Sequence, residues 1–333
     1  MKFTRARAVA VLASAALLLA GCAAAEPEPS DEPAAGPADK ISVVLSWSPQ
    51  PAQGGLFAAE VAGIFDKYNL DVTLVPSGPR VPRKPLLASG EVQFGMLSAD
   101  EILVSREEGL NLVALHSTVQ QNPLGFISHA SNPLKDFEDM EGRTVFVAPG
   151  QAWWQYVVQT YDLTVNEQAY QGLATFLTDE NSVTQGFVTS EPFYAAAEGV
   201  EAEFLSLDES GWSTYMNTIA TTDEFLASNP DVVERFVKAS LEGWAYYIEN
   251  ADEVNAEILK LNENATAEAQ DYDTERLLPM LQSGDAASKG FGYFDPKRWE
   301  KLGEQLKKLG LIPADADVTK GYNTDYWKAA VGS

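Results

Sequence analysis

The chain has 333 residues, with 48 acidic against 23 basic side chains and a net charge of −25. A chain this acidic repels polyanions, which excludes a nucleic-acid function. At about 150 residues per domain its length predicts two lobes. Its single cysteine, Cys22, excludes a disulfide, a cysteine metal site and a thiol nucleophile anywhere beyond that position.

Lys2, Arg5 and Arg7 open the chain, and Ala8 to Ala20 form an apolar run too short to span a bilayer. Leu19-Ala20-Gly21-Cys22 follows and resembles the bacterial lipobox, in which a peptidase cuts before the cysteine and its sulfur takes lipid. The alternative is an ordinary secretory signal with a chance cysteine. The expectation is a signal peptide over 1–21 and lipidation at Cys22, which anchors the protein outside the cytoplasm on the cell membrane. Residues 22–39 are rich in Pro, Ala and acid, cannot bury a core, and are expected to form a disordered tether.

From residue 41 strand and helix patterns alternate. ISVVL (41–45) is a short apolar strand, and the helix after it places Phe57, Val61, Ile64, Phe65 and Tyr68 on one face. Leu70, Val72 and Leu74 alternate with Asp71 and Thr73 as in a half-buried strand. A short helix (LLASG), a strand (92–97), a helix (99–109) and a strand (112–119) complete a βαβα order, which implies a mainly parallel sheet covered by helices. A second lobe is expected from about Gly125, with strands at 143–149, 183–190 and 203–207 and a helix in QAWWQYVVQTY. STYMNTIATT (213–222) reads as a strand returning to the first lobe. Asn229-Pro230-Asp231 opens a long helix, and 296–310 is the last strong one. The boundaries so read are 40–124 plus 218–333 for the first lobe and 125–217 for the second. Ligands of open α/β sheets sit beyond the carboxyl ends of strands, so the loops there carry the candidates.

In order along the chain, W-S-P (47–49), GGLFAAEVAGIFDKYNLDV (54–72), LLASGEVQFGM (86–96), LKDFEDMEGRTVFV (134–147), TSEPFYAAAEG (189–199) and KLGLIP (308–313) resemble the solute-binding lipoproteins of ABC importers. The branch is that of binders of aliphatic sulfonates, nitrate, taurine and thiamine-pyrimidine precursors. The resemblance implies an α/β type II periplasmic-binding-protein fold: two α/β lobes, a two-crossing hinge and a ligand in the cleft between them. It also implies a monomer that delivers its ligand to a membrane permease and its ATPase, with no cofactor. The loop GPRVPRKPLLASG (78–90) resembles the pattern of members that bind pyrimidine precursors or flavin-like heterocycles.

A planar ring needs flat faces, and Trp47 is the candidate to stack on it; the alternative is a plug under the loop. Gln50 lies where related pyrimidine binders tend to have Asn. Ser98 is either a ligand contact or a helix N-cap. Gln121 and Asn122 lie at the first crossing, where they either reach a ligand or satisfy backbone groups. Gln151 and Trp153 open a helix; Trp153 is expected to face the cleft and Trp154 the core. Glu191 would accept from ring N–H or amino groups, or else simply favour a helix N-terminus. Tyr194 and Tyr215 are candidate walls of the second lobe. Arg80, with Arg83 and Lys84 nearby, would hold an anion bidentately; the alternative is a solvated or permease-docking patch.

The expected ligand is a small heteroaromatic compound of the thiamine-pyrimidine kind or a related vitamin. An aliphatic sulfonate, taurine or nitrate is the alternative, and Glu191 in the site would repel it. An enzyme of the thiamine-pyrimidine-synthase type is disfavoured, because no cysteine follows Cys22 and the only histidines are His116 and His129. A sensor lipoprotein without transport stays open.

Overall fold

The computed structural model describes residues 36–78 and 80–332. The signal segment, Cys22 and most of the tether therefore lie outside the described residues.

Two five-stranded sheets carry the chain. The first contains β1 (Asp39–Val44), β2 (Leu70–Val75), β3 (Phe94–Leu97), β4 (Leu112–Ser117) and, much later, β10 (Thr218–Thr222), in the order β2-β1-β3-β10-β4. The second contains β5 (Leu124–His129), β6 (Thr144–Val147), β7 (Asn166–Ala169), β8 (Ser182–Phe187) and β9 (Ala202–Ser206), in the order β7-β6-β8-β5-β9. The mainly parallel reading holds with one exception in each sheet. β10 runs antiparallel to β3 and β4, and β5 runs antiparallel to β8 and β9. Each exception is the first strand after the chain changes sheets, so it enters from the opposite end.

Helices α1 (Gly54–Val61), α2 (Ile64–Lys67), α3 (Arg83–Ala88) and α4 (Ala99–Glu107) cover the first sheet; α5 (Ala152–Thr160) and α6 (Glu191–Ala197) follow β6 and β8. After β10 come α7 (Asp223–Ser228), α8 (Pro230–Leu261), α9 (Ala267–Leu281), α10 (Ala286–Lys289), α11 (Pro296–Lys308) and α12 (Asp325–Val331). Gly63, in the left-handed region, splits the single helix expected over 57–68 into α1 and α2. Asp39, expected as the end of the tether, instead starts β1: its N–H donates to Asn69 O at 3.1 Å and its carboxylate pairs with Arg235 at 2.6 Å.

The central strand β3 is buried on both faces, and Phe94 stacks on Phe236 of α8 at 3.8 Å between ring centroids. α8 is also the main partner of α1. Their backbones approach because three glycines carry no side chain at the contact. A Cβ on Gly55 would lie 2.2 Å from the Trp244 ring, one on Gly54 2.4 Å from Tyr247, and one on Gly243 2.2 Å from Gly55 O.

The crossings at 118–123 and 207–217 are tied together. Thr118 N donates to Asn217 O at 2.9 Å and Asn122 N to Asp208 Oδ2 at 2.9 Å. Arg298 of α11 reaches both: Nη1 donates to Gln120 O at 2.6 Å, Nε to Ser213 O at 3.4 Å, and Nη2 to Thr214 O.

In an ordinary helix Gly→Ala adds about 1 kcal/mol of stability. At Gly55 the new methyl meets an indole that cannot move away, and overpacking costs about 1–3 kcal/mol or more. Gly55→Ala should therefore lower the urea midpoint; a midpoint equal to or above wild type would show that α1 and α8 yield easily.

Candidate functional site

The loop from β1 to α1 presents Trp47. Trp47 is 45% exposed, so it is not a plug. The loop beneath it is braced. Ser77 N donates to Trp47 O at 3.1 Å, Asn262 Nδ2 to Pro49 O at 2.9 Å, and the buried Gln53 Nε2 to Ser46 Oγ at 2.8 Å. Gln50 lies half-buried beside it, its N–H donating to Gln53 Oε1 at 3.0 Å.

In the second lobe, Glu191 folds back against β8. Gly186 makes room: a Cβ there would lie 3.0 Å from Glu191 Cβ. The carboxylate accepts from Phe187 N at 2.7 Å, from Tyr170 Oη at 3.2 Å, and from Ser190 Oγ. Burial and the neighbouring Glu191 charge push the Tyr170 phenol up. Tyr194, one turn along α6, is 42% exposed.

α9 joins these two places. It packs against the 3-10 turn Pro51–Gln53 beside Trp47 and against α6, where Tyr272 meets Phe193 with ring centroids 5.3 Å apart. Asp273 lies at this junction. It is 7% exposed, and the nearby Thr189 hydroxyl favours its charged form. Burial first, and then the Glu191 charge, push its carboxyl up to about 7. The Tyr194 and Tyr247 phenols feel Asp273 in turn, and both are raised chiefly by burial. The junction is thus acidic, with the rings of Phe193, Tyr194 and Tyr272 beside it.

Several sequence expectations are corrected. Trp153 does not face a cleft: both Trp153 and Trp154 are buried and tilt against Phe126, with centroids 5.7 and 5.6 Å away. Gln151 serves Trp153, accepting its indole N–H at 3.2 Å. Tyr215 is a core residue rather than a wall, buried beside Phe294 and Trp299, with Arg298 over its ring at 4.1 Å and its hydroxyl accepting from Asp295 N at 2.8 Å. Ser98 caps α4 in a reciprocal pair with Glu101. Asn122 Oδ1 accepts from Leu124 N at 3.0 Å, bracing the first crossing, whereas Gln121 is exposed. The basic patch is divided. Arg83 pairs with Glu101 at 3.0 Å and Lys84 with Glu108 at 3.4 Å, while Arg80 is exposed.

Both histidines serve the core. His116 Nε2 lies 3.1 Å from Ser240 Oγ, and His129 Nε2 lies 2.6 Å from Phe176 O. Asp273, Thr189, Tyr170 and Gln270 were not anticipated. The signal for the α9 pair was present: Gln270, Asp273, Thr274, Leu277 and Leu281 recur at i+3 and i+4, a buried stripe with polar residues in it.

The family model described as NMT1/THI5 like matches residues 50–254. A riboflavin-binding protein of Chloroflexus aurantiacus is 27% identical over 93% of this chain and 94% of its own length. A formylaminopyrimidine-binding protein of Halalkalibacterium halodurans is 24% identical over 79% and 83%. A 4-amino-5-hydroxymethyl-2-methylpyrimidine phosphate synthase of Schizosaccharomyces pombe is 20% identical over 86% of each chain. Among solved structures, the periplasmic aliphatic sulphonate binding protein of Escherichia coli superposes with a TM-score of 0.64 at 13% identity, covering 85% of this chain and 91% of that one. The two-lobed architecture is therefore the periplasmic-binding-protein fold.

Asp273 also predicts a pH dependence. Its folded pKa is raised above the ordinary value near 4, so the folded chain keeps a proton that the unfolded chain releases. That stabilising contribution is complete below about pH 4 and is lost as pH rises through about 7. His116 acts with the opposite sign. Burial lowers it to about 4, so its contribution is lost as pH falls from about 6.5 to 4. Comparison with Asp273→Asn isolates the first term. The stability of wild type relative to this variant should fall by on the order of 4 kcal/mol between pH 4 and 7 in urea unfolding; a flat difference would refute the raised carboxyl.

Proposed function

The chain belongs to the NMT1/THI5-like family, and from that premise we propose that it is the solute-binding component of an ABC importer for a small heteroaromatic vitamin or vitamin precursor. Flavins and aminopyrimidines are the ligand class. Lipid on Cys22 tethers the monomer outside the cytoplasm, and a permease with its ATPase receives the ligand. The observation that carries this reading is the exposed Trp47 ring on a braced loop, joined through α9 to the acidic and phenolic groups of Glu191, Tyr194 and Asp273. An aromatic face binds the plane of a heterocycle, and carboxylates accept from its N–H or amino groups. The riboflavin-binding and formylaminopyrimidine-binding relatives support the same class.

A sulfonate or nitrate fits less well. Two unit charges of like sign 4 Å apart repel by about 4 kcal/mol at an effective dielectric of 20. Arg298, the arginine nearest the crossings, is committed to backbone carbonyls. Catalysis is not part of the proposal, although synthases belong to the same family. Both histidines are engaged in core contacts, and no thiol follows Cys22.

Thermal unfolding against riboflavin, aminopyrimidines, thiamine, alkanesulfonates, taurine and nitrate tests the ligand class. A ligand at 100 times its Kd adds about 2.7 kcal/mol. A shift with a heterocycle is the expected result, and a shift confined to the anions would overturn it. Trp47→Ala should then weaken the heterocycle at least tenfold while leaving the melting temperature of the free protein nearly unchanged. Unaltered affinity would remove Trp47 from the site.

A further inference from the structure

Buried side-chain polar atoms without a hydrogen-bond partner are few among the described residues. Three of them are indole nitrogens, of Trp212, Trp244 and Trp299. The other four are Ser77 Oγ, Asn122 Nδ2, Gln270 Nε2 and Asp273 Oδ1. Ser77 is bonded through its backbone to Trp47, and Asn122 lies in the first crossing. Gln270 and Asp273 both lie on α9, the helix that touches the Trp47 loop and the second lobe.

Leaving such an atom unpaired costs about 1–3 kcal/mol, and more for a carboxylate. Two of them lie within one turn of one helix, which singles out that turn for its unused hydrogen-bonding capacity. Their chemistry is complementary rather than redundant. Gln270 Nε2 is a donor and is part of a side chain only 4% exposed. Asp273 Oδ1 is an acceptor on a residue only 7% exposed. Residues three apart on a helix share a face, with Cβ atoms about 5–6 Å apart. A donor and an acceptor side by side match an acceptor and a donor side by side. A ring carbonyl next to a ring N–H has that pattern, and so does a ring nitrogen next to an exocyclic amino group.

We propose that Gln270 and Asp273 are specificity-determining residues that read the hydrogen-bonding edge of the ligand ring. Gln270 Nε2 donates to a ring carbonyl or ring nitrogen, and Asp273 Oδ1 accepts from the adjacent N–H or amino group. The inference rests on the heteroaromatic reading above and narrows it: the ring must carry an amide-like or amidine-like edge, and a ring with acceptors alone would leave Asp273 unpaired.

Calorimetric titration with riboflavin and with 4-amino-5-hydroxymethyl-2-methylpyrimidine tests the proposal. Each is compared with a derivative whose donor is blocked, N3-methyl riboflavin and the 4-dimethylamino pyrimidine. The proteins are wild type, Gln270→Met and Asp273→Leu. For the heterocycle that binds, wild type should bind the blocked derivative at least tenfold more weakly, because a site built to pair a donor rejects its absence. Gln270→Met and Asp273→Leu should each weaken the parent compound about tenfold, and Asp273→Leu should bind parent and derivative alike. If one variant does not fold, the wild-type ratio and the other variant decide. Binding of neither heterocycle by wild type overturns the reading of the whole site and this inference with it. Binding with a parent-to-derivative ratio near one, or with both variants within twofold of wild type, overturns the inference alone and leaves Asp273 as a contact between lobes.

Discussion

The close contact of α1 with α8 is the constraint on which the candidate site depends. Gly54, Gly55 and Gly243 let the two helix backbones meet across the rings of Trp244 and Tyr247. α1 begins four residues after Gln50, so the depth at which it seats fixes the end of the Trp47 loop. α8 ends at Leu261, and the next residue, Asn262, donates to Pro49 O. The loop is therefore held on one side by α1 and on the other by the end of α8, beyond its break at Asn250, and Ser77 closes the third side from the end of β2. A large ring can stand half in solvent on such a loop without the loop collapsing onto the core.

The other half of the site is electrostatic. Glu191 and Asp273 arrive from different lobes, and two facing carboxylates in a buried place cannot both keep their charge cheaply. The fold resolves this by unequal solvation. Glu191 is given three donors, while Asp273 is buried with one oxygen unpaired and is pushed towards neutrality. Such an inequality lets a pair of acids persist between two lobes without forcing them apart.

Much of the architecture was legible in the sequence, because apolar strands and helix stripes alternate with period 2 and 3.6 wherever one face is buried. β5 escaped: LGFISH is buried on both faces and carries a histidine, so it has no alternation to read. β7 escaped for the opposite reason; NEQA is an exposed edge strand defined only by its pairing with β6. For the site, the loop tryptophan and the Glu-Pro after β8 stood out as residue types in telling places. Trp153 misled because adjacent helical positions normally diverge by about 100°, yet Phe126 lies close to both indoles. Tyr215 misled because its neighbours Phe294 and Trp299 are some eighty residues away, beyond any local pattern. The stripe of α9 places Asp273 on the packed face, but the Glu191 charge that helps to raise its carboxyl comes from a distant part of the chain, which no spacing within α9 announces.

Arg298 holds the crossings entirely through carbonyl oxygens, those of Gln120, Ser213 and Thr214. Every residue type supplies a carbonyl, so the clamp does not depend on which side chains occupy those three positions. Mutational drift can rewrite that part of the crossings, and with it the chemistry displayed beside the cleft, while the mechanical joint stays the same. The joint itself rests on that guanidinium, on a helix that comes late in the chain, together with the Thr118–Asn217 and Asn122–Asp208 bonds. A lineage that changes its ligand is therefore free to vary the strap but not the buckle.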